Sequence, residues 1–158
     1  MKSKMFRIDV RTAFLTISVA LCCSCASHAH GREPDMHLCQ IVPGETVAGA
    51  VHGRILETSA AEGRCIYTVA LPEGSGSSVF VVYRHEAGEY EDLRAAMEGE
   101  VTQIAGLGDE AALSFDKDAN RYWLLVVRRK LVTLQVSGAD KDLVRLVAEA
   151  ALPQFSGQ

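Results

Sequence analysis

Arg121-Tyr122-Trp123-Leu124-Leu125-Val126-Val127 and Leu131-Val132-Thr133-Leu134-Gln135-Val136 are two runs of β-branched, aromatic and aliphatic residues, joined by Arg128-Arg129-Lys130. Such side chains suit a pleated, half-buried surface, so the runs predict strands over 121–127 and 131–136. The three-residue polar link makes them an antiparallel hairpin with a cationic tip. Just upstream, 111–115 predicts a further strand, and Asp116-Lys117-Asp118-Ala119-Asn120 joins it to the hairpin. That link begins like a calcium loop, but Arg121 stands where the sharp turn needs glycine and Val127 where the bidentate acid belongs, so it reads as a solvated turn. Downstream, Asp140 caps a last helix with Leu143, Leu146, Val147, Ala150 and Ala151 as its apolar stripe, and Pro153 ends it.

The first half of the chain repeats the plan. Strands are expected at 54–59, 65–71 and 78–84, the last two rich in Ile66, Tyr67, Val69 and Val79-Phe80-Val81-Val82-Tyr83. A helix over 43–52 precedes them, with Pro43 at its start, Glu45 in its first turn and Gly53 as its stop. Another over 87–99 follows, where Tyr90, Leu93 and Met97 recur at helical spacing. The order helix, three strands, helix, three strands, helix predicts an α+β domain over 38–158: an antiparallel sheet of about six strands with three helices packed on it in two layers.

Composition agrees with one ordinary globular domain, since 48% of residues are hydrophobic and 23% charged. The balance of 16 basic against 20 acidic residues gives no surplus for neutralising phosphates, so no nucleic-acid partner is expected.

At the N-terminus Lys2, Lys4, Arg7 and Arg11 precede the apolar stretch 13–23, the plan of a signal peptide over 1–25. The stretch is shorter than the ~20 apolar residues that a membrane-spanning helix requires. Ser24 before Cys25 fits a lipoprotein signal, in which Cys25 would be acylated, although Cys22 occupies a position where an aliphatic residue is usual. Cys23 is a second acylation candidate, and cleavage after Ala26 or Ala29 with plain secretion or a soluble periplasmic location is the alternative. The small, polar, aperiodic segment 26–37 reads as a tether. Beyond the leader the formal charge is −7, against −4 for the whole chain.

Export decides the remaining cysteines. Cys39 and Cys65 are the only pair in the folded part, and an oxidising compartment makes a disulfide between them the expectation. Such a bond across 26 residues is worth about 3–4 kcal/mol by chain entropy.

Several short motifs carry a resemblance. Cys39-Gln-Ile-Val-Pro-Gly-Glu45 with the short helix after it, Gly63-Arg64-Cys65-Ile66-Tyr67, the central turn Ile104 to Ala111, and Leu125 to Leu131 with the helix from Leu143 to Leu152 are each involved. Together they resemble, over residues 38–155, a family of small secreted bacterial lipoproteins of unknown function, the domain-of-unknown-function 3558 type. The resemblance implies a PsbP-like fold and the Cys39–Cys65 disulfide, and it implies no activity.

No catalytic set emerges, and neither an enzyme nor a cofactor is expected. Gly106-Leu107-Gly108 lacks the third glycine of a dinucleotide fingerprint, and Gly74-Ser75-Gly76-Ser77-Ser78 lacks the order of a nucleophile elbow. His52 and His85 read as helix-boundary residues, and the carboxylates near Glu89 as a solvated helix face. His28, His30 and His37 with Cys39 have metal-ligating chemistry and support an alternative, an envelope metal-handling protein or hydrolase-like enzyme. The expected function is a non-catalytic cell-envelope module, anchored to the membrane by lipid. It would bind a protein partner or an apolar or amphipathic lipid-like ligand between helices and sheet. Arg128, Arg129 and Lys130 read as a charged turn that keeps the sheet edge from pairing with other molecules, with contact to membrane or partner as the alternative.

Overall fold

The computed structural model describes residues 36–61, 63–128 and 132–155. The expected leader with Cys25, most of the tether, and Arg129 and Lys130 lie outside them. The helices are α1 (Met36–Ile41), α2 (Gly44–Ala50), α3 (Tyr90–Ala95) and α4 (Lys141–Ala151). The strands are β1 (Arg54–Ala61), β2 (Arg64–Ala70), β3 (Ser77–Glu86), β4 (Thr102–Gln103), β5 (Glu110–Asp116), β6 (Arg121–Arg128) and β7 (Val132–Gly138). They form one open sheet in the order β1-β2-β3-β7-β6-β5-β4, antiparallel throughout. The α+β class, the antiparallel sheet and the alternation of helices with strand groups are therefore as expected.

The details differ in four places, each for a physical reason. The expected helix 43–52 is α2 alone, and a further helix, α1, precedes it from Met36, inside the segment read as tether. Pro43 separates the two, because it has no amide proton and drives the residue before it out of helical geometry. The expected helix 87–99 shrinks to α3 after a 3-10 turn at Ala87–Glu89. Gly99, at φ 78°, bends the chain back beside the sheet so closely that a Cβ there would lie 2.7 Å from the Phe115 carbonyl oxygen. The seventh strand, β4, is only two residues long and leaves no periodic trace. The α4 stripe is Val144, Val147, Ala148 and Ala151, while Leu146 is exposed. These smaller residues let the helix approach β7 at Gly138, where a Cβ would meet Val144 at 2.8 Å and Phe80 at 3.0 Å. As expected, Asp140 caps α4, its Oδ1 accepting from the Asp142 and Leu143 amides.

The two-layer expectation also needs correction. One sheet face carries α1, α2 and α4 over a core that includes Tyr67, Phe80, Val82, Leu124, Leu134 and Val136, all at most 1% exposed. On the opposite face α3 and the chain just after it set Tyr90, Leu93 and Met97 on Ala112, Leu125 and Val127. β6 is buried from both sides in this region: Leu124 and Val126 point one way, Leu125 and Val127 the other. α3 covers only this half of its face.

Tyr67 shows how the first core is closed. Its ring is fully buried on β2 and its hydroxyl donates to the Val42 carbonyl, joining the sheet to the α1–α2 corner. Burial pushes the phenol pKa well above the ordinary range, because the phenolate would be stranded in apolar surroundings. With the folded pKa raised, Tyr67 contributes full stability below the unfolded value near ~10 and loses it as pH climbs beyond, by about 1.4 kcal/mol per pH unit. Urea unfolding at several pH values is expected to show Tyr67→Phe about 1 kcal/mol less stable at pH 7, with the gap to wild type closing above pH 10. A gap unchanged up to pH 11 would refute the buried phenol.

Candidate binding face

The half of the second face left uncovered by α3 is built from alternate residues of β2, β3, β7 and β6. Side chains alternate along a strand, so with Phe80 and Val82 in the core, β3 turns Val81, Tyr83 and His85 the other way. Register fixes their neighbours. Tyr83 lies between Arg64 on β2 and Gln135 on β7, and Trp123 on β6 lies between Ser137 on β7 and Ser114 on β5.

Two rings bridge the intervening strand. Tyr83 and Trp123 stand 6.1 Å apart between centroids and tilted by 40°, and Ser137 on β7 between them is fully buried. Tyr83 also stacks on His85 at 6.0 Å. Both rings are half-buried, so they are held in place yet present surface to solvent. Aromatic pairs at this range add about 0.5–1.5 kcal/mol beyond their burial.

Polar groups fix the rings from the sides. Arg64 donates from Nη1 to the Tyr83 hydroxyl at 3.1 Å, with its guanidinium carbon 5.8 Å from the ring centroid. His85 Nε2 lies 3.0 Å from the Gln135 side-chain amide, within hydrogen-bond range. Its Nδ1 is 3.4 Å from the Glu89 carboxylate. Arg121 donates to Ser137 Oγ at 3.4 Å. Beside Trp123, Ser114 Oγ is buried with no hydrogen-bond partner among the described residues, as is the Tyr90 hydroxyl under α3. Burial raises the Tyr90 pKa as well, opposed by the nearby Arg94.

Most residues singled out in the sequence lie elsewhere. The Cys39–Cys65 disulfide is present and ties α1 to β2 with 5.4 Å between Cα atoms. Cys39 is thereby removed from any thiolate ligand set. His28 and His30 are outside the described residues, and His37 enters only through the backbone of α1. Arg128 ends β6 opposite Val132, away from the Tyr83–Trp123 pair. The turn at Asp116 is a local one, its Oδ1 accepting from the amides of Asp118 and Ala119. The sequence reading missed Arg64, Tyr83, Arg121, Trp123 and Gln135 as a group. Their only linear signal is period two: along β3 and β6 these residues alternate with core residues.

Among the described residues, fold and face define an α+β protein with one helix-covered sheet surface and one that α3 covers in part. Compared with models of protein families, with curated proteins and with solved structures, the chain has no match in any of the three.

Proposed function

We propose that this chain is a non-catalytic cell-envelope module that binds its partner on the half-open sheet face. The observation that carries this reading is the Tyr83–Trp123 pair, half-exposed, bordered by polar side chains and not covered by α3, the only helix on that side among the described residues. Rigid aromatic groups with polar neighbours are what binding surfaces concentrate. The space between helices and sheet is a poorer place for a ligand, because Phe80, Gly138 and Val144 are in direct contact there. Arg128, Arg129 and Lys130 are then a secondary contact with membrane or partner.

The location belongs to the same proposal. The basic and apolar N-terminus and the Ser24-Cys25 pair support export and acylation at Cys25, and a disulfide is compatible with an oxidising compartment. No described helix is long and apolar enough to cross a membrane. Membership of the secreted lipoprotein family with a PsbP-like fold remains part of this reading, supported by the motif spacing around Cys39 and Cys65.

Hydroxyl-radical footprinting of the purified protein with and without detergent-solubilised envelope from the source cells tests the face. Oxidation of Tyr83 and Trp123 is expected to fall at least about threefold on addition of the extract. Tyr122, which packs on the helix-covered side, is expected to be unchanged. Equal protection of all three, or of none, rejects this face as the binding surface.

A further inference from the structure

We infer that the half-open face binds an anionic saccharide, an extended glycan bearing carboxylates. This rests on the reading of that face as the binding surface and adds the chemistry of its ligand.

The rings come first. Tyr83 and Trp123 expose apolar area with a negative π-face, and the C–H groups on one side of a pyranose ring are apolar and weakly positive, so the two surfaces are complementary. Around the rings the polar groups are a guanidinium, an amide and an imidazole, on Arg64, Gln135 and His85. Planar donors and acceptors of this kind match adjacent sugar hydroxyls, each of which both donates and accepts.

Charge narrows the class. The chain beyond its leader is acidic, yet two guanidinium groups border the rings: Arg64, against Tyr83, and Arg121, two residues from Trp123 on the same face. Among the described residues acids border this face as well: Glu89, beside His85, and Asp116, opposite Arg121, with its Oδ1 accepting from the amides of its own turn. A guanidinium is the side chain best shaped for a carboxylate. Arg64 and Arg121 sit on strands three apart in the sheet, so the lateral step alone is about 14 Å, with Tyr83 on a strand between them and Trp123 on the same strand as Arg121. A ligand engaging both arginines while lying on the rings must be extended and must carry more than one anion.

Two competing chemistries fit less well. An acyl chain needs continuous apolar surface, whereas Ile66, Val79 and Val81 lie to one side of the polar groups. A nucleic-acid strand needs a basic groove along its phosphates, and two arginines on an acidic protein do not make one.

Trp123 is the only tryptophan in the chain, so intrinsic fluorescence reads this face directly. The full-length protein is titrated with a galacturonic acid hexamer, a neutral maltohexaose, sodium dodecanoate below its micellar range, and a thymidine oligonucleotide. The expected result is saturable change with the galacturonate, with maltohexaose about tenfold weaker or more. Arg121→Gln is expected to weaken galacturonate about tenfold and maltohexaose much less, and Arg64→Gln, which also frees the Tyr83 ring, to weaken both sugars but galacturonate more. Circular dichroism of each variant confirms its fold, and Arg121→Lys, which keeps the charge but not the fork, is expected to fall between. Equal affinity for both sugars, or tighter binding of dodecanoate or the oligonucleotide, overturns the inference. No response to either sugar overturns it too. If envelope extract still protects Tyr83 and Trp123 in that case, the binding face stands and only its ligand is wrong. If protection is also absent, both fail.

Discussion

Replacing Cys39 and Cys65 together by alanine is expected to lower the unfolding free energy by about 3.5 kcal/mol, through the entropy regained by the unfolded chain when a 26-residue loop opens. On a domain of this size that is a fall in Tm of about 10–15 °C, and a large share of the ~5–15 kcal/mol typical of folded domains. The effect is concentrated at one end of the molecule. Cys65 is fully buried in β2 and Cys39 belongs to α1, a helix of six residues that has little stability of its own. The measurement is urea unfolding of wild type with and without a reductant, beside the double variant. Reduced wild type and variant should coincide within about 1 kcal/mol, both well below the oxidised protein. An oxidised protein no more stable than its reduced form would show that the crosslink constrains nothing the fold does not already hold.

The second large effect separates the two faces of one strand. Phe80→Ala removes a fully buried ring that touches the space above Gly138, and a loss of about 4 kcal/mol is expected. Its neighbour Val79 is 38% exposed on the other face, and Val79→Ala is expected to cost less than about 1 kcal/mol. A shift of β3 by one residue against β2 would exchange the two results, so the pair of denaturation curves tests the register directly.

How much of this was legible beforehand follows from the range of each signal. Six strands of three or more residues, the cap at Asp140 and the disulfide partners are local or near-local properties, and each appears in the sequence as composition, period or pairing by elimination. What escaped reading depends on the third dimension. The unbroken apolar run Tyr122 to Val127 marked a strand, but its lack of alternation also meant burial from both sides, and that second implication is the whole reason for α3's position. The α4 stripe was assigned to the larger aliphatics, whereas close approach to Gly138 selects the smaller ones. The candidate site was the least legible part. Arg64, Tyr83, Trp123 and Gln135 come from four strands and meet only when β3 pairs with β7, which joins the two halves of the sheet.

The position of the crosslink also decides how the fold bears tension. A pull on the chain ahead of Met36 reaches α1 first, and a six-residue helix alone would peel away under small load. The Cys39–Cys65 bond diverts that load three residues into α1 and delivers it to β2, which is hydrogen-bonded along its length to β1 on one side and β3 on the other. Detachment then demands that an interior strand be drawn out against two neighbours at once. If the chain is held at a surface by its N-terminus, the same covalent link lets it be tugged from that side without unravelling from the point of attachment.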